Sequence, residues 1–333
     1  MYTKEKTSMI FLIKNKLNSF FDILINRGVL VLLSSIINLI HLNISKRILS
    51  KKLIIKNVND YKMNLLTNDN GISRSLILFG KREEDKKYIL KNILHSKMNV
   101  FDIGANIGYY TIFFLKNVNR GKILAIEPAS DNLDLCKKNI QLNNIKNKNV
   151  KFICAGASNL NTKQKFLISK QSNLHTFNPE GSAKRFLTGE SKNINTYTVY
   201  NLSKKYFIPD LIRMDVEGHE CEIISGMLKY IENGYFKPHI CFEPHITSYS
   251  KNNKFFITLN KLFKLGYYTN LLSSNAQNGT NKIFNLTKIM PLKVLKSDGV
   301  KRGIFKNLNN KDTIKILTKI GGARTVLLSP KNV

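Results

Sequence analysis

Asp102, Gly104, Asn106 and Gly108 stand at alternate positions, the first inside the short run Val100 to Ile103 and the others after it. That spacing suits a turn whose backbone passes close to a ligand, because glycine takes up conformations that other residues resist. The amides that open a following helix then attract oxygen atoms and anionic groups. Glu127 ends the next apolar run, Lys122 to Ile126, nineteen residues past Gly108. An acid at the carboxyl end of a strand at that distance can accept both hydroxyls of a ribose. The glycine pattern is GxxxG and lacks the GxGxxG that lets a pyrophosphate approach, so a nucleoside without phosphates fits better than a dinucleotide.

A second group lies further on: Asp215, Glu217, His219, Glu220, Glu243 and His245. Here the chain departs from its own composition. It carries 53 Lys and Arg against 22 Asp and Glu, a formal net charge of +31, yet residues 201 to 250 hold five basic and seven acidic residues. Carboxylates and imidazoles lining one cleft can accept the proton of a hydroxyl. A metal held by Asp215, His219 and Glu243 has no recognised chelate spacing, and no metal site is assigned. The plainer readings are that Gly218 lets the chain leave a strand, and that Glu220 and Glu222 are solvated first-turn residues of a helix from Cys221 to Tyr230.

The elements that position these residues alternate. Val100 to Ile103 predicts a first strand and Tyr109 to Lys116 a helix; strands follow at Lys122 to Ile126, Val150 to Ala155, Asp210 to Met214 and His239 to Phe242. Alternating strands and helices build an α/β domain on a mostly parallel sheet, whose ligands sit at the carboxyl ends of the strands. Asn161 to Lys192, polar with Ser172, Asn173 and His175, reads as a long loop able to cover an acceptor, or as an ordinary mobile one. Leu262 to Tyr268 and Gly322 to Leu328 supply the last helix and strands, with Asn270 to Leu292 irregular between them.

The 333 residues, 43% hydrophobic, exclude disorder throughout and are enough for one large domain with an extension. Cys136, Cys154, Cys221 and Cys241 form no CxxC pair, and read as buried reduced thiols in a reducing, cytoplasmic setting. Residues 1 to 60 form the extension and 61 to 333 the domain. The uncharged stretch Gly28 to Ile44 is slightly short for a spanning helix. Arg27, Ser34, Asn38, His41 and Ser45 recur at helical steps, which makes the helix amphipathic. Three placements stay open: packing on the domain or a second subunit, lying on a membrane through residues 20 to 52, or spanning it.

The strings VFDIGANIGYYT, ILAIEP, LIRMDVEGHE and ICFEP, preceded by GISRSLILFGKRE at Gly71 to Glu83, resemble the FkbM family of S-adenosylmethionine-dependent methyltransferases from about Tyr61 to Tyr268. The resemblance implies a Rossmann-like class I methyltransferase sheet with helices on both faces, behind an N-terminal helical extension. It implies that Asp102, Gly104, Asn106 and Gly108 surround the methionine part of S-adenosylmethionine, that Glu127 holds the ribose, and that Ala157 and Ser158 contact the adenine. Where the family often carries Leu-Asp before the fourth strand, this chain has Val199-Tyr200-Asn201-Leu202.

Asp215, Glu217, His219 and Glu243 are then the catalytic candidates: carboxylates to offset the sulfonium or strip a proton, His219 as an alternative base, Glu243 as a clamp on substrate hydroxyls. With no Asn-Pro-Pro-Tyr-like string at the fourth strand, an oxygen acceptor is expected, in a sugar, glycolipid or related small metabolite. The alternative is a basic nucleic-acid-binding protein or RNA methyltransferase on the same fold, using the +14 of residues 251 to 333. No aromatic-rich RNA-recognition signature accompanies that charge.

Overall fold

The computed structural model describes residues 17–18, 20–145, 149–249 and 254–331. A helical stretch at 20–27 precedes helix α1 (Val29–Arg47); strands β1 (Leu53–Val58) and β2 (Tyr61–Leu66) follow, paired antiparallel from Leu53 opposite Leu66 to Val58 opposite Tyr61. The boundary expected at residue 60 therefore falls in the turn between two hydrogen-bonded strands. Helices α2 (Ile72–Phe79) and α3 (Glu84–Lys91) lead into β3 (Val100–Ile103). There follow α4 (Tyr109–Asn117), β4 (Ile123–Ile126), α5 (Ser130–Gln141) and β5 (Val150–Ile153). A small sheet comes next, of β6 (Gly156–Ala157), β7 (Thr162–Ser169) and β8 (Leu187–Tyr197). The chain then resumes with α6 (Val199–Lys205), β9 (Leu211–Met214), α7 (Glu220–Glu232), β10 (His239–Phe242) and α8 (Lys254–Lys264). It finishes with β11 (Tyr267–Ser274), α9 (Gln277–Thr287), β12 (Lys293–Ser297), β13 (Val300–Lys306), α10 (Asn310–Lys315) and β14 (Ala323–Pro330).

Nine strands form the main sheet in the order β12-β13-β11-β14-β10-β9-β3-β4-β5. The run β10-β9-β3-β4-β5 is parallel, and β14 joins it antiparallel through Cys241 opposite Leu327. Parallel strands covered on both faces carry continuous apolar runs, and every residue of β3, β4 and β9 is buried. Side chains alternate between faces. Phe101, Ile212 and Ile240 pack with Ile223, Met227 and Leu259 on one side, and Val100, Leu211 and Cys241 with Ile89, Ile112 and Phe114 on the other. This is the Rossmann-like methyltransferase sheet, with an added β12–β13 hairpin at its edge.

From β3 the chain moves outward to β4 and β5, then returns to place β9 and β10 on the other side of β3. Ligands of open α/β sheets sit where the order reverses, beyond the carboxyl ends of the strands. Gly104, Glu127, Asp215 and Glu243 are the residues directly after β3, β4, β9 and β10, so one architectural rule gathers them.

Three expectations are corrected. Asn161 to Lys192 is not all loop: its two ends pair as β7 and β8, from Thr162 opposite Thr196 to Ser169 opposite Leu187, and 170–186 is left to cover the sheet edge. Asn270 to Leu292 is not irregular, because β11 and α9 occupy most of it. Cys154 is exposed, at the exit of β5, while Cys136, Cys221 and Cys241 are buried.

Candidate active site

Two cavities open side by side along the carboxyl edge and share Gly104, Asn106, Asn173 and Asp215 in their walls. The larger, about 330 Å³, is lined by charge: Arg82, Glu83, Arg185, Arg213, Asp215, Glu217, Glu243, His245 and Arg324. The smaller, about 40 Å³, is a slot between Ile126, Glu127, Pro128, Gly156, Ala157, Phe166, Phe177 and His219.

The slot follows from the turn after β3. Gly104 has φ +75°, and a Cβ there would come 2.2 Å from the Asp215 carbonyl oxygen, so only glycine lets β3 and β9 end this close together. Asn106 is also left-handed, with φ 49°, which aims its backbone N–H at Glu127 Oε2, 2.8 Å away. Glu127 Oε1 accepts from the Ala129 N–H at 3.0 Å. Burial outweighs these donors and pushes the Glu127 carboxyl up to about 7. Ala157 lines the slot. Ser158 sits behind it, its hydroxyl 3.0 Å from His219 Nε2 and accepting from Gln164 Nε2 at 3.0 Å.

Asp102 and Gly108 line neither cavity. Asp102 is fully buried, accepting from Thr111 Oγ1 at 2.7 Å and from Arg213 Nη1 at 3.1 Å. It is therefore a positioning residue, acting through Arg213. Gly108 caps α4, where a Cβ would come 2.8 Å from Cys136 Sγ.

The larger cavity is built on Lys86, whose side chain is 1% exposed. Its Nζ lies 3.0 Å from Glu83, 3.2 Å from Asp215 and 3.3 Å from Glu243. Arg213 Nη2 donates to Asp215 at 2.8 Å, and its guanidinium lies 4.3 Å from the centre of the Tyr110 ring. Arg324 pairs with Glu243 and, at 3.2 Å, with Glu83. Burial works against the charged form of Asp215, but Lys86 and Arg213 overcome it and hold the carboxyl at about 2. So low a value makes Asp215 a poor base. Glu217 differs in outcome: burial is the largest influence on both acids, but at Glu217 the opposing pull of His245 does not overcome it and the pKa is raised. His245 stands between two carboxylates, Nε2 3.3 Å from Glu217 and Nδ1 2.8 Å from Glu220. Together they override its burial and hold its pKa well above the usual imidazole value. Glu220 also accepts from the Tyr249 hydroxyl at 2.6 Å and is fully buried, so it is not a solvated first-turn residue.

Of the four catalytic candidates, Asp215, Glu217 and Glu243 meet in the larger cavity and His219 does not. Glu217 (φ 49°) and Gly218 (φ 99°) reverse the backbone, and the His219 ring turns to Phe177, 5.2 Å between centroids. Burial lowers its pKa and keeps it neutral there. Among the described residues two clusters, Glu83–Asp215–Glu243 and Asp215–Glu217–His245, are close enough to share a cation. The Lys86 ammonium already stands among the first three, and protonated His245 fills that role for Glu217, so a divalent ion has no electrostatic need to meet in either.

Glu83, Lys86, Arg213 and Arg324 were not among the sequence candidates. Arg213 had a signal, as the one charged residue inside the apolar run Leu211 to Met214. Lys86 and Arg324 had none in a chain with 53 basic residues.

The slot suits a nucleoside chemically. Glu127 offers a buried carboxylate, Ile126, Phe166 and Phe177 offer apolar walls, and Ser172 Oγ and Asn173 Oδ1 are buried without a hydrogen-bond partner among the described residues. Its 40 Å³ is far below the ~300–1,000 Å³ of small-molecule sites. Residues 172 to 177 fill the remainder, and Phe177 sits where a Cβ on Gly156 would come 2.6 Å from its ring. Binding a nucleoside therefore requires segment 170–186 to shift.

No curated protein matches the chain. Among solved structures it is similar to precorrin-6y C5,15-methyltransferase from Geobacter metallireducens GS-15, at 11% identity and TM-score 0.37, covering 75% of this chain and 88% of that one. It is also similar to a methyltransferase FkbM from Methylobacillus flagellatus KT, at 14% identity and TM-score 0.36, covering 57% of this chain and 46% of that one. A third is a SAM-dependent O-methyltransferase from Thermotoga maritima, at 10% identity and TM-score 0.36, covering 75% and 66%. Likenesses this loose carry no argument about the acceptor. The family profile does more: the methyltransferase FkbM domain matches residues 102–268, from the acid at the end of β3 through the strand ends that bear Glu127, Asp215 and Glu243. The chain belongs to the FkbM family and is an S-adenosylmethionine-dependent methyltransferase.

Proposed function

We propose that the protein transfers a methyl group to a hydroxyl of a sugar, glycolipid or related small metabolite. One observation carries the reading: the raised-pKa carboxylate of Glu217 lines a 330 Å³ polar cavity that shares Gly104, Asn106 and Asp215 with the nucleoside slot. S-Adenosylmethionine supplies a methyl on a positively charged sulfur, an electrophile that leaves a neutral sulfide. Glu127 and the turn Gly104–Asn106 hold its ribose and methionine portions, with Ala157 beside the base and Ser158 behind it.

Glu217 takes the proton that the acceptor hydroxyl loses, and burial makes it a better base than an ordinary glutamate. His245 holds Glu217 in place and Glu220 holds His245. Glu243 and Arg324 present an acceptor and a donor to further hydroxyls, which suits a polyhydroxylated substrate. Asp215, fixed by Lys86 and Arg213, puts negative charge at the wall common to both cavities.

Calorimetric titration with S-adenosylhomocysteine, followed by methyl incorporation into a panel of sugars and glycolipids, tests this. Binding that is lost in Glu127→Ala, with label appearing on hydroxylated acceptors, is expected. A folded parent that binds no S-adenosylhomocysteine overturns the cofactor assignments, and label appearing only on RNA moves the function to the nucleic-acid alternative, which now has only the net charge of +31 behind it.

A further inference from the structure

Helix α1 wears its polarity inside out. Ser35 and Ser45 are buried. The Asn38 amide donates to the Leu78 carbonyl at 3.1 Å and accepts from Lys56 Nζ at 2.6 Å. Leu32 and Leu42 also pack inward, but a stripe of large side chains points away, beside exposed Ser34, His41 and Asn43: Leu30 is 79% exposed, Ile37 66% and Ile40 54%, with Leu33 and Ile44 on the same stripe. A surface helix of a globular domain ordinarily does the reverse. A contiguous apolar patch of this kind marks an interaction surface.

The rim identifies the partner. Between Arg27 and Asp60 there is no acidic residue, and Lys46, Arg47, Lys51 and Lys52 cluster where the stripe ends. A second copy of the chain would bring +31 against +31, whereas an anionic lipid surface neutralises the cluster while accepting the aliphatic face. The helix has the length and hydropathy to cross a bilayer. It is nevertheless tied along the domain by Asn38, and Arg27 lies 4.0 Å from the centre of the Phe79 ring at its other end, which is the attitude of a helix lying in the interface. It rests on α2, whose first residue, Ile72, lines the larger cavity, so the active site stands close behind the face.

We propose that the exposed face of α1 docks the enzyme on an anionic bilayer, with Leu30, Ile37 and Ile44 entering the headgroup–acyl boundary and the basic cluster meeting the headgroups. The test is co-sedimentation of the full chain with phosphatidylcholine vesicles and with vesicles that also contain phosphatidylglycerol, at low and physiological salt. Binding to the anionic vesicles is expected. Leu30→Asn/Ile37→Asn/Ile44→Asn, which leaves the charge unchanged, should weaken it about tenfold or more, and Lys46→Gln/Lys51→Gln/Lys52→Gln should weaken it and flatten its salt dependence. These side chains are exposed, so both variants keep the parent's affinity for S-adenosylhomocysteine, which is the folding control.

Three results would overturn the proposal: a folded parent that stays in the supernatant with both vesicle types; an Asn variant that sediments like the parent, leaving charge alone as the cause; or a dimer in light scattering that the Asn variant splits while vesicles go unbound, giving the face to a second copy.

Discussion

The two cavities on one sheet edge treat the same side chain in opposite ways. In the larger one, Glu83, Asp215 and Glu243 surround Lys86, Arg213 and Arg324, and Asp215 is held at about 2. In the slot Glu127 has, among the described residues, the N–H groups of Asn106 and Ala129 and the Asn132 amide as partners and no cation, and burial lifts it to about 7. A buried carboxylate thus reports its neighbours more than its burial. The charged cavity is a pre-assembled frame of paired charges, and Glu217, where burial prevails over the pull of His245, is the acid in it whose pKa is raised.

Removing the central cation tests the frame most severely. Lys86→Met leaves buried Glu83 and half-buried Asp215 and Glu243 to repel one another and should cost about 3 kcal/mol of stability, read as a lowered urea midpoint. An unchanged midpoint would mean that Arg213 and Arg324 suffice.

Glu127 should mark the contrast by pH. Its folded pKa of about 7 lies above the unfolded value of 4.5, so between them the unfolded chain has lost a proton that the folded one keeps. Stability should therefore fall as pH rises from 4.5 to 7 and level off above, by on the order of 3 kcal/mol. Glu127→Gln should flatten that window in urea unfolding followed across pH, and a slope kept in the variant would place the titration elsewhere.

Glu217→Gln should lower kcat about 100-fold while the S-adenosylhomocysteine Kd stays put. The parent's rate should rise with pH as Glu217 loses its proton, and the variant should lose that limb. If Kd moved as much as kcat, Glu217 would belong to the slot. Smallest of all, Tyr249→Phe removes the hydroxyl that donates to Glu220 at 2.6 Å and accepts from the His245 N–H at 2.9 Å, and should cost about 2 kcal/mol for the two hydrogen bonds. Differential scanning calorimetry would resolve it, and a loss several times larger would make Tyr249 part of the frame.

The fold was legible because it rests on local signals. β3 and β10 begin and end where their apolar runs do, α4 opens at Tyr109 as the glycine turn requires, and Glu127, Asp215 and Glu243 each follow a strand, which is enough to send them to one edge. The segment 161–192 misled because β7 and β8 are exposed and polar along most of their length; their pairing with each other, and not a hydrophobic period, makes them strands. His219 misled because spacing cannot report a backbone reversal at two left-handed residues.

The sequence by itself determined the parallel sheet, the glycine turn and the set of acids at its carboxyl edge, since hydrophobic period and strand-end position are written in consecutive residues. Only the tertiary structure decided which acid is held charged and which is pushed toward its protonated form. That depends on Lys86, Arg213 and Arg324, scattered over more than two hundred positions, because electrostatic interaction falls off with distance through space and takes no account of distance along the chain.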